Sequence, residues 1–439
     1  WRRSMNRKSL ITLACGLLPF GASLAATELV IATVNNRQMI EMQKLTPVFE
    51  KANPDIKVKW VTLEETVLRQ RLTTDIATKG GQFDIMTIGM YETPIWGKKG
   101  WLKEIKPDAN YDIDDLLPGI RDGMSHEGKL YSAPFYGESS FTMYRADLAK
   151  AAGVTLPEQP TYQDIANFAA KVHDTNKGVY GICLRGKPSW GENMAYLTTL
   201  VNVHGGQWFD MQWKPQINAK PWQDAISLYV DLMKKYGPPG ATANGFNENL
   251  NLMAAGKCGM WIDATSAAGS LSDPKFSKIA DTIAFARAPI AATHKGAGFS
   301  WSWGLSIPTS TKNEAAAQKF INWATSKEYV KLVAETDGWI TVPTGNRKST
   351  YAYPEFQKVS KFGATELKAI ESVNVLDATL PKSPYQGVQF AGIPEFQAIG
   401  TTVGQEISAA LAGTKSVTDA LKAGQLAAER QMKKAGYYK

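Results

Sequence analysis

Along residues 28–88 the apolar positions first run together, then recur every three or four residues, then alternate. Residues 28–34 (ELVIATV) are nearly continuous in apolar character, as a strand buried on both faces requires. Met39, Met42, Leu45 and Phe49 follow at helical spacing within 38–52. Residues 56–62 (IKVKWVT) alternate and predict a second strand. Leu68, Leu72 and Ile76 predict a helix over 64–79, and 83–88 (FDIMTI) a third strand. Strand–helix–strand–helix–strand is the opening of an open, doubly wound α/β sheet. Such sheets bind ligands beyond the carboxyl ends of their strands. The loops Asn35-Asn36-Arg37 and Gly89-Met90-Tyr91-Glu92 fall at those ends.

Further along, 129–136 (KLYSAPFY) predicts a strand pair leading into a second α/β region. A helix over 161–173 starts at Thr161-Tyr-Gln-Asp164, a capping-box spacing, and carries Ile165, Phe168, Ala169 and Val172 on one face. The segment 221–236 has proline in its first turn, lysines near its end and Gly237-Pro238 beyond, the punctuation of a helix. A helix is predicted over 313–335, opened by Thr311-Lys-Asn-Glu314 and burying Phe320, Trp323 and Val330. The Ala-rich 403–434 segment predicts one or two C-terminal helices. No internal repeat or low-complexity tract interrupts the order.

The N-terminal stretch changes the picture. Met5, read as the start, opens a positive Met5-Asn6-Arg7-Lys8, followed by an apolar run over 10–24 broken by Pro19 and Gly21. Ser23-Leu24-Ala25-Ala26 supplies small residues, so residues 1–26 read as an export signal cut after Ala25 or Ala26. The run is shorter than the roughly 20 apolar residues that span a bilayer. Ile11–Cys15 faintly resembles an acylation box, but apolar sequence continues past Cys15 where such a box would end. An exported chain is separated from cytoplasmic ATP and NAD, which weakens the usual α/β enzyme readings. The leader carries Arg2, Arg3, Arg7 and Lys8 and no acid, so 45 basic and 41 acidic residues remain, a surplus of +4. That is small for a nucleic-acid binder, and no basic cluster concentrates it. About 413 residues after cleavage imply two or more domains.

Cys183 and Cys258 are the thiols left after cleavage. In an oxidising compartment they are expected to pair, the alternative being two buried thiols acting as small apolar groups. His126, His173, His204 and His294 lie far apart without metal-ligand spacing, so no metal site is expected.

Four stretches carry a resemblance: FDIMTIGMYETPIWGKKGWL (83–102), YSAPFYGESSFTMYRADLAKAAG (131–153), YGICLRGKPSWGEN (180–193) and AGKCGMWIDATSAAG (255–269). Together with the element order over 27–439, they make the chain similar to the family 1 extracellular solute-binding proteins, carbohydrate receptors of bacterial ABC importers. The last two stretches resemble the polyol (sorbitol/mannitol) branch. The resemblance implies an α/β, two-lobed periplasmic-binding-protein fold (type II-like). Each lobe would be an open mixed sheet with helices on both faces, and the ligand would lie in the cleft between lobes. It implies lobe 1 from 27–136 plus 305–344 and lobe 2 from 137–304 plus 345–439. Phe135-Tyr136-Gly137-Glu138 and Ser300-Trp-Ser-Trp303-Gly304 would be the crossings. It further implies a periplasmic monomer without cofactor or catalysis, delivering a linear polyol to membrane permease subunits.

A hexitol is a neutral chain of hydroxyls, so its cleft needs carboxylate acceptors, Arg or Asn donors and aromatic faces for its C–H edges. Mixed clusters of that kind stand at Asn36, at Tyr91 and Glu92, and at Tyr136 and Glu138. Others stand at Arg185, Trp190 and Asn193, at Asp263 after an apolar strand, and at Trp301 and Trp303. These eleven are the candidate ligand-binding residues. Plain alternatives accompany them: Asp263 as a helix cap, Arg185 in a surface ion pair, Glu138 in a hinge hydrogen bond, the strand tryptophans as core. Trp190 lies between Ser189 and Gly191, poor packing neighbours, which favours an exposed stacking face. Enzyme motifs fail locally. Gly181–Lys187 matches a phosphate loop until Pro188 replaces the required Ser/Thr, no G-x-S-x-G surrounds Ser300, and no G-x-G-x-x-G follows the first strand. A receptor for a mono- or oligosaccharide and a secreted glycoside hydrolase remain the alternatives.

Overall fold

The computed structural model describes residues 25–439, so the expected export signal over 1–26 lies almost wholly outside the described residues. The opening pattern forms β1 (Thr27–Val34), α1 (Arg37–Ala52), β2 (Ile56–Leu63), α2 (Glu65–Thr78), β3 (Ile85–Gly89) and α3 (Glu92–Lys98). β1 pairs in parallel with β2 along its whole length, Thr27 beside Ile56 and Val34 beside Leu63, and also with β3. Leu29, Ile31 and Val34 are fully buried between helices on the two faces, as the continuous apolar run requires.

The strand Trp301–Pro308 returns antiparallel beside β3, with Leu102–Lys103 and Ala133–Glu138 on it, completing a six-stranded mixed sheet. A second sheet orders Ile283–Arg287, Ser140–Arg145 and Met260–Ala264. Residues 180–183 run parallel to 258–261 at its margin, bridging at Tyr180–Cys258 and Cys183–Trp261. Here the expected disulfide joins Cys183 to Cys258, with Cα atoms 5.9 Å apart. The architecture is the two-lobed α/β fold that the element order implied.

The chain passes between sheets at Ser139 and again near Ser300. Ser139 exchanges hydrogen bonds with Thr265, and both polar backbone groups of Ser300 are held by the amide of Gln389. A further segment, 342–347, rests on the first of these passages. The Gly137 amide donates to the Thr344 carbonyl, and the Asn346 amide donates to the carbonyls of Pro134 and Phe135. Gly137 and Gly345 touch backbone to backbone. A Cβ on Gly345, where φ is +77°, would stand 1.9 Å from the Gly137 carbonyl oxygen, and one on Gly137 would stand 2.2 Å from that of Gly345.

Two helix predictions need correction. The span 313–335 is two helices, Glu314–Ala324 and Lys327–Asp337. Buried Arg347 takes the Thr325 carbonyl through Nε and Nη2, and the Ser326 hydroxyl caps the second helix at Tyr329. The Thr311–Glu314 capping box does not form either: the Thr311 hydroxyl accepts from the Asn313 amide and donates to Asp84. The Thr161–Asp164 box does form, at the start of Tyr162–Val172. The C-terminal segment is two helices, Phe396–Ala412 and Val417–Lys434, turned by Gly413 at φ +82°. No helix among the described residues is long and apolar enough to cross a membrane.

Candidate functional site

A cavity lies where the carboxyl end of the first sheet faces the second. From the first side come Asn36 at the start of α1, and Glu65 and Arg69 one turn apart on α2. Glu138, Trp301 and Trp303 come from the passages between sheets, and Arg185, Trp190, Gly191 and Phe246 from the other side. The strand register arranges the tryptophans: Trp301 pairs with Glu138, and Trp303 with Gly89 and Tyr136. Gly89 is required here, since a Cβ would meet the Trp301 indole at 1.9 Å.

Two buried guanidiniums organise the walls, each clamped by two carboxylates. Arg69 donates through Nε and Nη2 to Glu65 Oε1 at 3.2 and 3.0 Å, and through Nη1 to Glu92. Its guanidinium lies 4.2, 4.9 and 4.7 Å from the ring centres of Trp190, Trp301 and Trp303. Arg185 donates to both oxygens of Asp263 at 2.8 and 2.6 Å, to Glu192 at 3.2 Å and to the Gly191 carbonyl at 2.9 Å. Burial lowers the proton affinity of both arginines, but their paired carboxylates outweigh it and hold them charged.

Glu138 is different. It is 6% exposed, accepts from the Ser266 hydroxyl, and has no cation within ion-pair distance among the described residues. Burial pushes its carboxyl up to about 8, against the lowering influence of Ser266 and Arg185. Burial also raises Glu192. The second oxygens of Glu65 and Glu138 accept no hydrogen bond from the described residues, and Trp190 Nε1, in a side chain 2% exposed, has no partner. The cavity thus presents carboxylate acceptors and aromatic faces, which suit hydroxyls and C–H edges.

Six of the eleven sequence candidates line this cavity: Asn36, Glu138, Arg185, Trp190, Trp301 and Trp303. The other five stand behind the wall. Asp263 does not face the cavity, nor does it cap the following helix. Its oxygens are taken by Arg185, by Trp261 Nε1 at 2.9 Å and by the Ala264 amide at 2.7 Å. Glu92 holds Arg69 and the Gly89 amide. Tyr91 hydrogen-bonds the carbonyls of Ile393 and Pro394 and packs 4.8 Å from Trp190. Asn193 closes a turn on Ser189 and donates to Gly404, and Tyr136 accepts from Asn36 at 2.9 Å. Trp190 is enclosed rather than exposed, because Tyr91, Phe396 and Trp301 surround it. Glu65, Arg69, Phe246, Phe299 and Gln389 were missed. Glu65 and Arg69 share the face of Leu68 and Leu72, and a charged pair on an apolar stripe was the available signal. Phe299 and Gln389 lie outside any periodic pattern.

Contacts close over the cavity mouth: Lys187 Nζ to Glu64 at 2.8 Å, Asn247 to Asn35 at 3.2 Å, Gln38 to the Ser266 carbonyl at 3.2 Å and Arg37 to Asp273 at 3.5 Å. They join α1 and the start of α2 to the side that carries Arg185.

Residues 35–331 match the bacterial extracellular solute-binding protein family, a family of binding proteins rather than a class of enzymes. The chain is 51% identical over 433 residues to a mannitol-binding protein of Pseudomonas aeruginosa, spanning 98% of this chain and 99% of that one. A crystal structure of an ABC transporter solute-binding protein from Agrobacterium vitis with bound D-mannitol is 57% identical. It superposes with a TM-score of 0.93, covering 94% of this chain and all of that one. The ribitol complex of such a protein from Agrobacterium radiobacter, 23% identical with a TM-score of 0.82 over 93% of this chain and 99% of that one, shares the fold. The chain belongs to the bacterial extracellular solute-binding proteins.

Proposed function

We propose that this protein is the periplasmic polyol receptor of an ABC importer, binding a linear hexitol of the mannitol type and handing it unchanged to the membrane permease. The observation that carries the reading is the cavity between the sheets. Open carboxylate oxygens on Glu65 and Glu138 and three tryptophan rings there match the hydroxyls and C–H edges of an uncharged chain. The near full-length likeness to a mannitol-binding protein, and to a solute-binding protein with bound D-mannitol, supports the same class of ligand.

In this reading lobe 1 comprises 27–136 plus 305–344 and lobe 2 comprises 137–304 plus 345–439. The ligand favours the closed arrangement because it touches both groups of residues at once. Asn36, Glu65, Glu138, Arg185, Trp190, Trp301 and Trp303 contact it. Asp263, Glu92, Asn193, Tyr91 and Tyr136 fix the wall behind them. No step of bond making or breaking is assigned to these residues.

Titration calorimetry with D-mannitol, D-sorbitol, ribitol and maltose tests the reading. A micromolar hexitol constant, about −8 kcal/mol, is expected, with the hexitol recovered chemically intact. Maltose binding without hexitol binding would overturn it.

A further inference from the structure

The ionic balance of the cavity points to a selectivity that shape alone does not provide. Five buried carboxyl groups, Glu65, Glu92, Glu138, Glu192 and Asp263, surround two guanidiniums, Arg69 and Arg185. Neither guanidinium is spare, since each already carries two carboxylate partners, whereas Glu138 has only the Ser266 hydroxyl. Lys187, the cation at the mouth, is taken by Glu64. Burial holds Glu138 and Glu192 toward their neutral forms below about pH 8.

We infer that the cavity selects by charge as well as by shape: it accepts neutral polyols and polyols bearing an ammonium group, and rejects those bearing a carboxylate. An ammonium in place of a terminal hydroxyl would meet the open oxygen of Glu138, the one cavity carboxylate without a cation. A carboxylate at the same position would be desolvated against that oxygen with no guanidinium free to receive it.

The inference rests on the polyol reading, and one ligand series separates the two. D-Mannitol, D-mannonamide, D-mannonate and 1-amino-1-deoxy-D-mannitol share a carbon chain and differ at one terminus. Calorimetry on the full protein at pH 8.5, where Glu138 has given up its proton, should give the amine at least the affinity of D-mannitol, the neutral amide within about tenfold of it, and mannonate at least 100-fold weaker. In Glu138→Gln the gap between amine and mannonate should shrink at least tenfold, whatever happens to mannitol affinity itself. Mannitol and mannonate binding within threefold of each other would overturn charge selection and leave the polyol reading standing. So would an unchanged gap in the variant. Binding of none of the four would overturn the polyol reading and this inference with it.

Discussion

The two clamped arginines face one cavity but are built differently. Arg69 takes Glu65 from its own helix, four residues away, and Glu92 from 23 residues away at the start of α3. Arg185 takes Glu192 from seven residues away and Asp263 from 78 residues away, across two segments that the Cys183–Cys258 bond ties together. The first clamp is mostly local and needs one helix to form. The second exists only once distant strands have paired. The contrast separates holding a charge in place from bringing its partner there: one removed carboxylate should cost less where a helical neighbour remains than where the chief partner is lost.

The largest test of that contrast is Asp263→Ala. It strips both Asp263 oxygens from a buried guanidinium and orphans Trp261 Nε1, so a loss of about 3–5 kcal/mol in urea unfolding is expected, together with loss of D-mannitol binding. An unfolding change under 1 kcal/mol would show that Glu192 and Gly191 suffice for Arg185. Next, the Cys183→Ala/Cys258→Ala pair removes a cross-link spanning 75 residues and should cost about 2–4 kcal/mol. Affinity measured on the folded variant then tells whether the strand bridges alone keep Arg185 in place. Glu92→Ala leaves Arg69 its helical partner, and about 1–3 kcal/mol is expected. A larger loss than for Asp263→Ala would invert the comparison.

The smallest effect is on pH dependence. Glu138 in the folded protein keeps its proton up to about pH 8, against an ordinary value of 4.5, and Glu366, buried beside Tyr351, is raised to about 7. Between pH 4.5 and 8 the folded state therefore binds more protons than the unfolded chain, and stability falls as pH rises through that window. The ligand-free melting temperature should therefore drop from pH 5 to pH 8.5. Glu138→Gln should flatten the slope, and an identical slope in the variant would remove Glu138 from its cause.

The strands and helices of the first half were readable because β1 and β3 carry their burial in their own spacing. The break at Thr325 was not, since Phe320 and Val330 stay in phase on one core while the interruption comes from Arg347, far along the chain. Asp263 shows the same limit within the site. Its place at the end of an apolar strand was visible, but the direction of its carboxylate depends on residues 180–186 lying alongside 258–261. Glu65 and Arg69 were legible in principle, as charges on the stripe of Leu68 and Leu72, whereas Gln389 reaches the site from a loop with no pattern.

Gly137 and Gly345, pressed together where the passages between sheets cross, set a boundary on what this protein can become. A single methyl at either glycine would overlap a carbonyl oxygen of the other segment, and at Gly345 it would also be forced into a left-handed backbone. A library aimed at new specificities should recover glycine at these two positions, whatever the ligand.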